Sequence, residues 1–239
     1  MTVSEGTAQL NKEAVEAVAD TQSEEKEIVL PLVQTTENVV NEAEIDTEAL
    51  AEIAKEGKDV VIQFTDATVK LEAKAVKALT EQAKGKTIEI RAVIVEAHTL
   101  NEHQQEELKD TDHAVIISVQ VFSDGEYIGK FRGGKATVML PFQLDPGTKA
   151  EEYRVYYIDE KGDLHKVASE YIDGHMVFTT VHFSEYIIAH EAAQNGDTNV
   201  VTPQQPEQET SFPVLPVIMA IAAVVIILLI FKRKREDEE

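Results

Sequence analysis

The chain has 239 residues, 44 of them acidic and 22 basic, a formal net charge of −22, and neither cysteine nor tryptophan. That balance excludes nucleic acid as a partner, because phosphate binding needs a basic patch. The missing cysteine excludes a disulfide framework, so stability must come from packed cores.

From the N-terminus, Met1 to Ala8 shows no basic stretch followed by an apolar one, so no signal peptide is read there. With the membrane anchor described below, this leads to the expectation that the chain is the C-terminal portion of a longer precursor. Three segments then share one pattern. Leu10, Ala14, Val15 and Val18 match Ile45, Ala49, Leu50 and Ile53, and again Leu71, Ala75, Val76 and Leu79. Apolar residues at i, i+5 and i+8 with Ala at i+4 fall along one side of a helix. Asn11 and Asp46 stand where N-caps belong, and Gly57 and Gly85 are read as helix stops. Strand-like runs follow at 27–32, 59–64 and 87–95, and a short extended piece at 67–71 precedes the third helix. The spacing between copies is 35 and then 26 residues. Each helix buries one narrow stripe, so the copies are expected to stack on a shared sheet. Their Glu and Lys residues take the outward positions of a solvated face.

Beyond Gln105 the pattern changes to short strands: 115–122, 127–131, 136–141, 153–158, 164–168, 176–181 and 186–189, with turns at 123–126 and 159–163. This predicts an antiparallel β-sandwich. The residues Leu100 to Gln104, Gly133 to Val138, Leu140 to Phe142, Val155 to Asp159, Gly162, and Val177 to Tyr186 with its His-Phe-Ser-x-Tyr ending carry a resemblance. Over about residues 40–190 the chain resembles a repeat-plus-β-sandwich domain found near the C-terminus of large Firmicutes cell-surface proteins. That resemblance implies a surface scaffold and no particular reaction.

His182, Phe183 and Ser184 are the candidate chemical site. The tripeptide has a weaker local similarity to the self-cleavage motif of autoproteolytic ZU5-type domains. The similarity implies that Ser184 attacks the Phe183 carbonyl, His182 takes the hydroxyl proton, and Phe183–Ser184 is the scissile bond. The bland reading is a strand with Phe178, Thr180, His182 and Ser184 on its polar face and Phe183 inward. Tyr153, Tyr156, Tyr157 and Tyr171 are candidates for a sugar-stacking surface, although Tyr156 and Tyr157 point to opposite faces of one strand. The remaining histidines show no zinc spacing, the carboxylates single out no glycosidase pair, and neither a metal nor a cofactor is expected.

Glu191 to Pro213 is polar, with Pro and Gly, and reads as an extended stalk. Val214 to Phe231 then runs without a charge, roughly 27 Å as a helix and close to a bilayer's hydrocarbon thickness. Lys232 to Arg235 follow as a stop-transfer signal that belongs in the cytoplasm. Leu215 and Pro216 are not followed by the Thr-Gly of a sortase signal. An acidic, cysteine-free exterior on such an anchor suits a Gram-positive surface.

The expected fold class is α+β: strand–helix–strand repeats (1–98), an antiparallel β-sandwich (99–191), a stalk (192–212), a single transmembrane helix (213–231) and a cytoplasmic tail (232–239). The expected function is a non-enzymatic stalk or scaffold that presents N-terminal modules outside the cell. The alternatives are self-cleavage at Phe183–Ser184 and binding of a cell-wall glycan or adhesion ligand. The expected partners are the lipid bilayer through 213–231 and cell-wall polymer or other surface proteins.

Overall fold

The computed structural model describes residues 1–4, 6–32, 39–109 and 113–191. The expected stalk, transmembrane helix and tail lie outside the described residues; among those described, no helix is long and apolar enough to cross a membrane. In chain order the elements are β1 (Thr2–Ser4), β2 (Thr7–Leu10), α1 (Lys12–Thr21), β3 (Glu27–Pro31), β4 (Glu42–Asp46), α2 (Thr47–Lys55), β5 (Asp59–Gln63), β6 (Thr68–Leu71), α3 (Ala73–Gln82) and β7 (Thr87–Val95). They continue with α4 (Glu102–Leu108), β8 (His113–Ser123), β9 (Glu126–Tyr127), β10 (Ala136–Pro141), β11 (Tyr153–Ile158), β12 (Leu164–Val167), β13 (Ser169–Ile172), β14 (His175–Thr180) and β15 (Glu185–His190).

The fold is α+β with two mixed sheets. Among the described residues, the larger sheet runs β1-β2-β4-β7-β8-β15-β11-β12 with β9 beside β8, and the smaller runs β13-β14-β10-β6-β5-β3. The repeats do not lie on one shared sheet. Each unit gives one strand to each sheet, and its helix carries the chain between them. Units one and two run alike, so β2 pairs parallel with β4 and β3 with β5. Unit three is reversed: β6 lies in the smaller sheet and β7 in the larger, both antiparallel to the strands of unit two. The connection length explains the reversal. Ten residues separate β3 from β4, enough to return to the first sheet, but only Phe64 to Ala67 separate β5 from β6. That short link closes as a turn, with Phe64 N–H donating to the Ala67 carbonyl at 2.9 Å, and β6 must pair beside β5.

The helices follow the predicted stripe. Asn11 accepts from Ala14 N at 3.0 Å and Asp46 from Ala49 N at 2.9 Å, satisfying N–H groups that the first helical turn leaves open. Gly57 follows α2 with φ +73°, the left-handed conformation of a helix stop. Gly85 has no such role: α3 already ends at Gln82, and Gly85 N–H donates to Ser123 Oγ at 3.0 Å ahead of β7. α2 buries Ala49, Leu50 and Ile53, and α3 buries Ala75, Val76, Ala78 and Leu79, whereas α1 buries only Val15. At about 1.5–3 kcal/mol for each large apolar side chain fully buried, α1 is the least firmly held of the three.

One hydrophobic cluster takes in these stripes and the inward residues of both sheets, including Ile28, Ile45, Ile62, Leu71, Ile90, Val121, Val138 and Phe178. The boundary expected at 98/99 falls between hydrogen-bonded neighbours. β7 pairs with β8 from Glu89↔Phe122 to Val95↔Ile116, and β6 pairs with β10 from Leu71↔Ala136 to Thr68↔Met139. The antiparallel sandwich expected within 99–191 therefore appears as part of two larger mixed sheets that segment 1–98 also builds. The loop before β10 seats tightly on α3: a Cβ on Gly134 would lie 2.3 Å from Ala75 N, which requires glycine there.

A second cluster (Leu108, Ile116, Ile158, Ile187 and Ala189) lies on the other face of the larger sheet, with Leu100 packed against it. The helix that supplies Leu108, α4, was not among the expected elements. Asn101 accepts from Gln104 N at 3.0 Å, Gln104 Oε1 accepts from Asn101 N at 3.2 Å, and Gln104 Nε2 donates to the Asp159 carbonyl at 3.1 Å. The reciprocal cap starts the helix and the third bond ties it to the β11–β12 turn.

On the smaller sheet, Lys70 Nζ lies 2.7 Å from Glu27 Oε2 and 3.1 Å from Asp59 Oδ2. Asp59 Oδ1 meanwhile accepts from Ala73 N at 2.9 Å, so a β5 side chain caps α3, whose own N-cap residue Glu72 makes no such bond. Desolvation opposes the charge on Lys70, but the bond to Glu27 and the two carboxylate charges outweigh it and raise its pKa above 10.5. Replacing Asp59 by Ala removes a cap and an ion-pair partner together and is expected to cost about 2 kcal/mol in urea melts. Because the Lys70 pKa is raised on folding, the stability it adds is complete below pH 10.5 and is lost as pH rises through the folded value. The stability gap between wild type and Lys70→Met should therefore hold from neutral pH to about that value and narrow above it.

Candidate functional site

The site lies where the chain leaves the smaller sheet at Thr180 and joins the larger at Glu185. Four residues, Val181 to Ser184, make the crossing. Strand alternation stops there, which corrects the expected face assignment. Phe178 and Thr180 are core-facing, Val181 is exposed, and Phe183 is 2% exposed, edge-on to the Phe131 ring at 4.8 Å. His182 and Ser184 are thus not the continuation of a polar strand face.

The peptide groups of the crossover are held from several sides. Phe183 N–H donates to the Gly129 carbonyl at 3.2 Å, and the Phe183 carbonyl accepts from the Tyr127 hydroxyl. Thr180 Oγ1 donates to the His182 carbonyl at 2.7 Å, while the Tyr186 hydroxyl lies 2.6 Å from that carbonyl and 2.8 Å from Thr180 Oγ1. Tyr127 is half exposed, but local desolvation of its hydroxyl, helped by the charge of Glu185, pushes the phenol up to about 12. Burial raises Tyr186 well above the ordinary 10.0 as well. Gly129 makes room for this contact: a Cβ there would fall 2.1 Å from the Tyr127 hydroxyl.

The three candidate residues are adjacent but differently engaged. His182 Nδ1 lies 3.2 Å from the Phe183 carbonyl oxygen, and its ring meets Tyr157 edge-on at 4.8 Å. Tyr157 stacks on His165 at 4.4 Å, and His165 Nε2 lies 3.1 Å from Asp159 Oδ2. Ser184 Oγ donates to the Ile158 carbonyl at 3.4 Å. Among the described residues no hydrogen bond joins His182 to Ser184. Among the described residues, the arrangement offers donors to the Phe183 carbonyl and leaves the Ser184 hydroxyl without a contacting base. Tyr127 escaped the sequence reading because it meets Phe183 across 56 residues, and no local pattern marks it.

The four tyrosines do not share a surface. Tyr153 is 2% exposed with its hydroxyl donating to Asp145 Oδ2 at 2.8 Å, and Tyr171 donates to the Phe142 carbonyl at 3.0 Å. Tyr156 bonds Glu191, while Tyr157 lies on the opposite face beneath His165. The stacking platform fails because strand alternation and core packing separate its members. Among the described residues, no group of three or more His, Cys, Asp or Glu stands ready to hold a metal ion.

No family model matches the chain, and no curated protein matches it.

Replacing Tyr127 by Phe is expected to destabilise the fold by about 1 kcal/mol, the net worth of one hydrogen bond. Gly129→Ala should displace the same hydroxyl, so adding Tyr127→Phe to it should cost little more in urea melts. Tyr127 ionises near 10.0 when unfolded and near 12 when folded, so its contribution to stability falls as pH rises through that interval. Tyr127→Phe should flatten that fall.

Proposed function

We propose that this chain is a non-enzymatic segment of a membrane-anchored bacterial surface protein, a stalk or scaffold that presents N-terminal modules outside the cell. In this reading the three strand–helix–strand units and the later strands form the outward body. Residues 192–212 are the stalk, 213–231 the single transmembrane helix, and 232–239 the cytoplasmic tail. The bilayer is its partner, with cell-wall polymer or other surface proteins as further ones.

The observation that carries the reading is the placement of β15, the described strand nearest the anchor in sequence. It is an interior strand, antiparallel to β11 on one side and β8 on the other. Tyr186 and Ile188 enter the main core, and Ile187 and Ala189 enter the second cluster. Tension arriving from residues 192–239 would load two ladders and two apolar faces at once, where an edge strand would offer one ladder.

Membrane fractionation tests the anchor. The full chain should stay in the membrane fraction, and a chain ending at Glu191 should be released with its melting transition unchanged. A full chain found in the soluble fraction would sink the proposal.

A second reading, self-cleavage at Phe183–Ser184, draws on the two groups that face the Phe183 carbonyl oxygen, the Tyr127 hydroxyl and His182 Nδ1. It also requires Ser184 Oγ to leave the Ile158 carbonyl and find a base. A denaturing gel decides it. Cleavage would give a C-terminal piece of roughly 6 kDa from the 26.5 kDa chain, abolished by Ser184→Ala. We expect one intact band after prolonged incubation.

A further inference from the structure

We propose that β3 is a guarded edge: the side-chain amide of Gln22 takes the position of a neighbouring strand's peptide, and together with Pro31 it closes the smaller sheet to pairing with a second copy of this chain.

The strand needs such a guard. Among the described residues β3 is the outermost strand of the smaller sheet, and parallel β5 covers one of its sides. Its sequence (Glu27, Ile28, Val29, Leu30, Pro31) has one charge and two β-branched residues, the composition that makes an open edge adhesive. The other edges differ. β1 has three residues, all exposed, and β12 and β13, the far edges of the two sheets, are separated only by Ala168.

The free side of β3 is identified by its bonds. Lys26 O accepts from Asp59 N, and Leu32 N donates to Gln63 O, so the even-numbered residues address β5. Glu27, Val29 and Pro31 then direct their backbone groups outward. Val29, at the centre, is occupied on both groups: its N–H donates to Gln22 Oε1 at 2.8 Å, and its carbonyl accepts from Gln22 Nε2 at 3.1 Å. One primary amide thus reproduces the donor and acceptor pair of a strand peptide. Gln22 is held in place as the C-cap of α1, where its own N–H donates to the Ala19 carbonyl at 3.0 Å. At the next outward position Pro31 has no N–H to offer, the usual placement of proline on a sheet edge.

The same geometry names the occupant that is kept out. Two β3 strands related by a twofold axis would set Val29 against Val29, each with its N–H and carbonyl outward. That is a self-complementary hydrogen-bonded pair of the antiparallel type. Repeat arrays need an end unit that stops the stacking. Unit one carries that stop in Gln22 and Pro31, where unit two has Glu56 as the helix C-cap and Gln63 as the strand partner of Pro31.

Three variants of the full chain test the guard. Gln22→Ala should speed hydrogen exchange at the Val29 amide about five- to tenfold, the effect of losing one hydrogen bond. Gln22→Glu, which retains an acceptor for that N–H but sets an oxygen against the Val29 carbonyl, should restore only part of the protection. The double variant Gln22→Ala/Pro31→Thr, solubilised in detergent beside the wild-type chain, should shift from monomer to dimer with rising concentration in sedimentation velocity. Unchanged Val29 exchange in Gln22→Ala overturns the proposal whatever the double variant does. A folded double variant that stays monomeric at every concentration also overturns it.

Discussion

The pairing of β7 with β8 is the constraint on which the rest of the structure depends. Seven consecutive residue pairs, Glu89↔Phe122 to Val95↔Ile116, join the repeat segment to the later strands. Alternate residues of that seam (Ile90 and Ala92 against Val121 and Val119) belong to the common core. Since strand side chains alternate with a period of two, a slip of one residue would turn all of them to the wrong face. The register of β7 on β8 therefore sets where β15 and β11 can add, and with them the position of the crossover at 181–184.

The smaller sheet repeats the arrangement through β6 and β10, and the link between the two seams is α3. Its strands enter different sheets, so a shift at either seam has to pass through a helix with four buried side chains. The close approach of Gly134 to Ala75 and the cap that Asp59 gives to Ala73 fix both the start of α3 and the loop beside it. These contacts are individually worth about 1 kcal/mol. The apolar burial that they help to align is several times larger.

Several residues act as ties between distant segments. Asn101 and Gln104 dock α4 on the β11–β12 turn, Gly134 admits the loop onto α3, and Tyr186 secures the end of β14 through Thr180 and the His182 carbonyl. Such ties demand particular side chains at scattered positions. Phe183, buried against the Phe131 ring, anchors the crossover in the same way.

The sequence by itself determined the local elements. Helical stripes, the caps at Asn11 and Asp46, most strand positions and the tight turns were legible because each depends on residues within a few places of one another. The spacing of 35 and 26 residues was also visible, but its consequence was not: only the paired strands reveal that a four-residue link reverses unit three, whereas a ten-residue link allows units one and two to run alike. The helix α4 was readable in principle from the Asn101–Gln104 capping pattern. The alternation drawn through His182 and Ser184 failed because the chain changes sheets there, and a change of sheet leaves no periodic trace. Tyr127 over the Phe183 carbonyl, Asp59 on α3 and Gln22 against Val29 were decided by tertiary structure alone. In each, a hydrogen bond joins groups whose proximity is set by sheet packing, a long-range property that no local run of residues encodes.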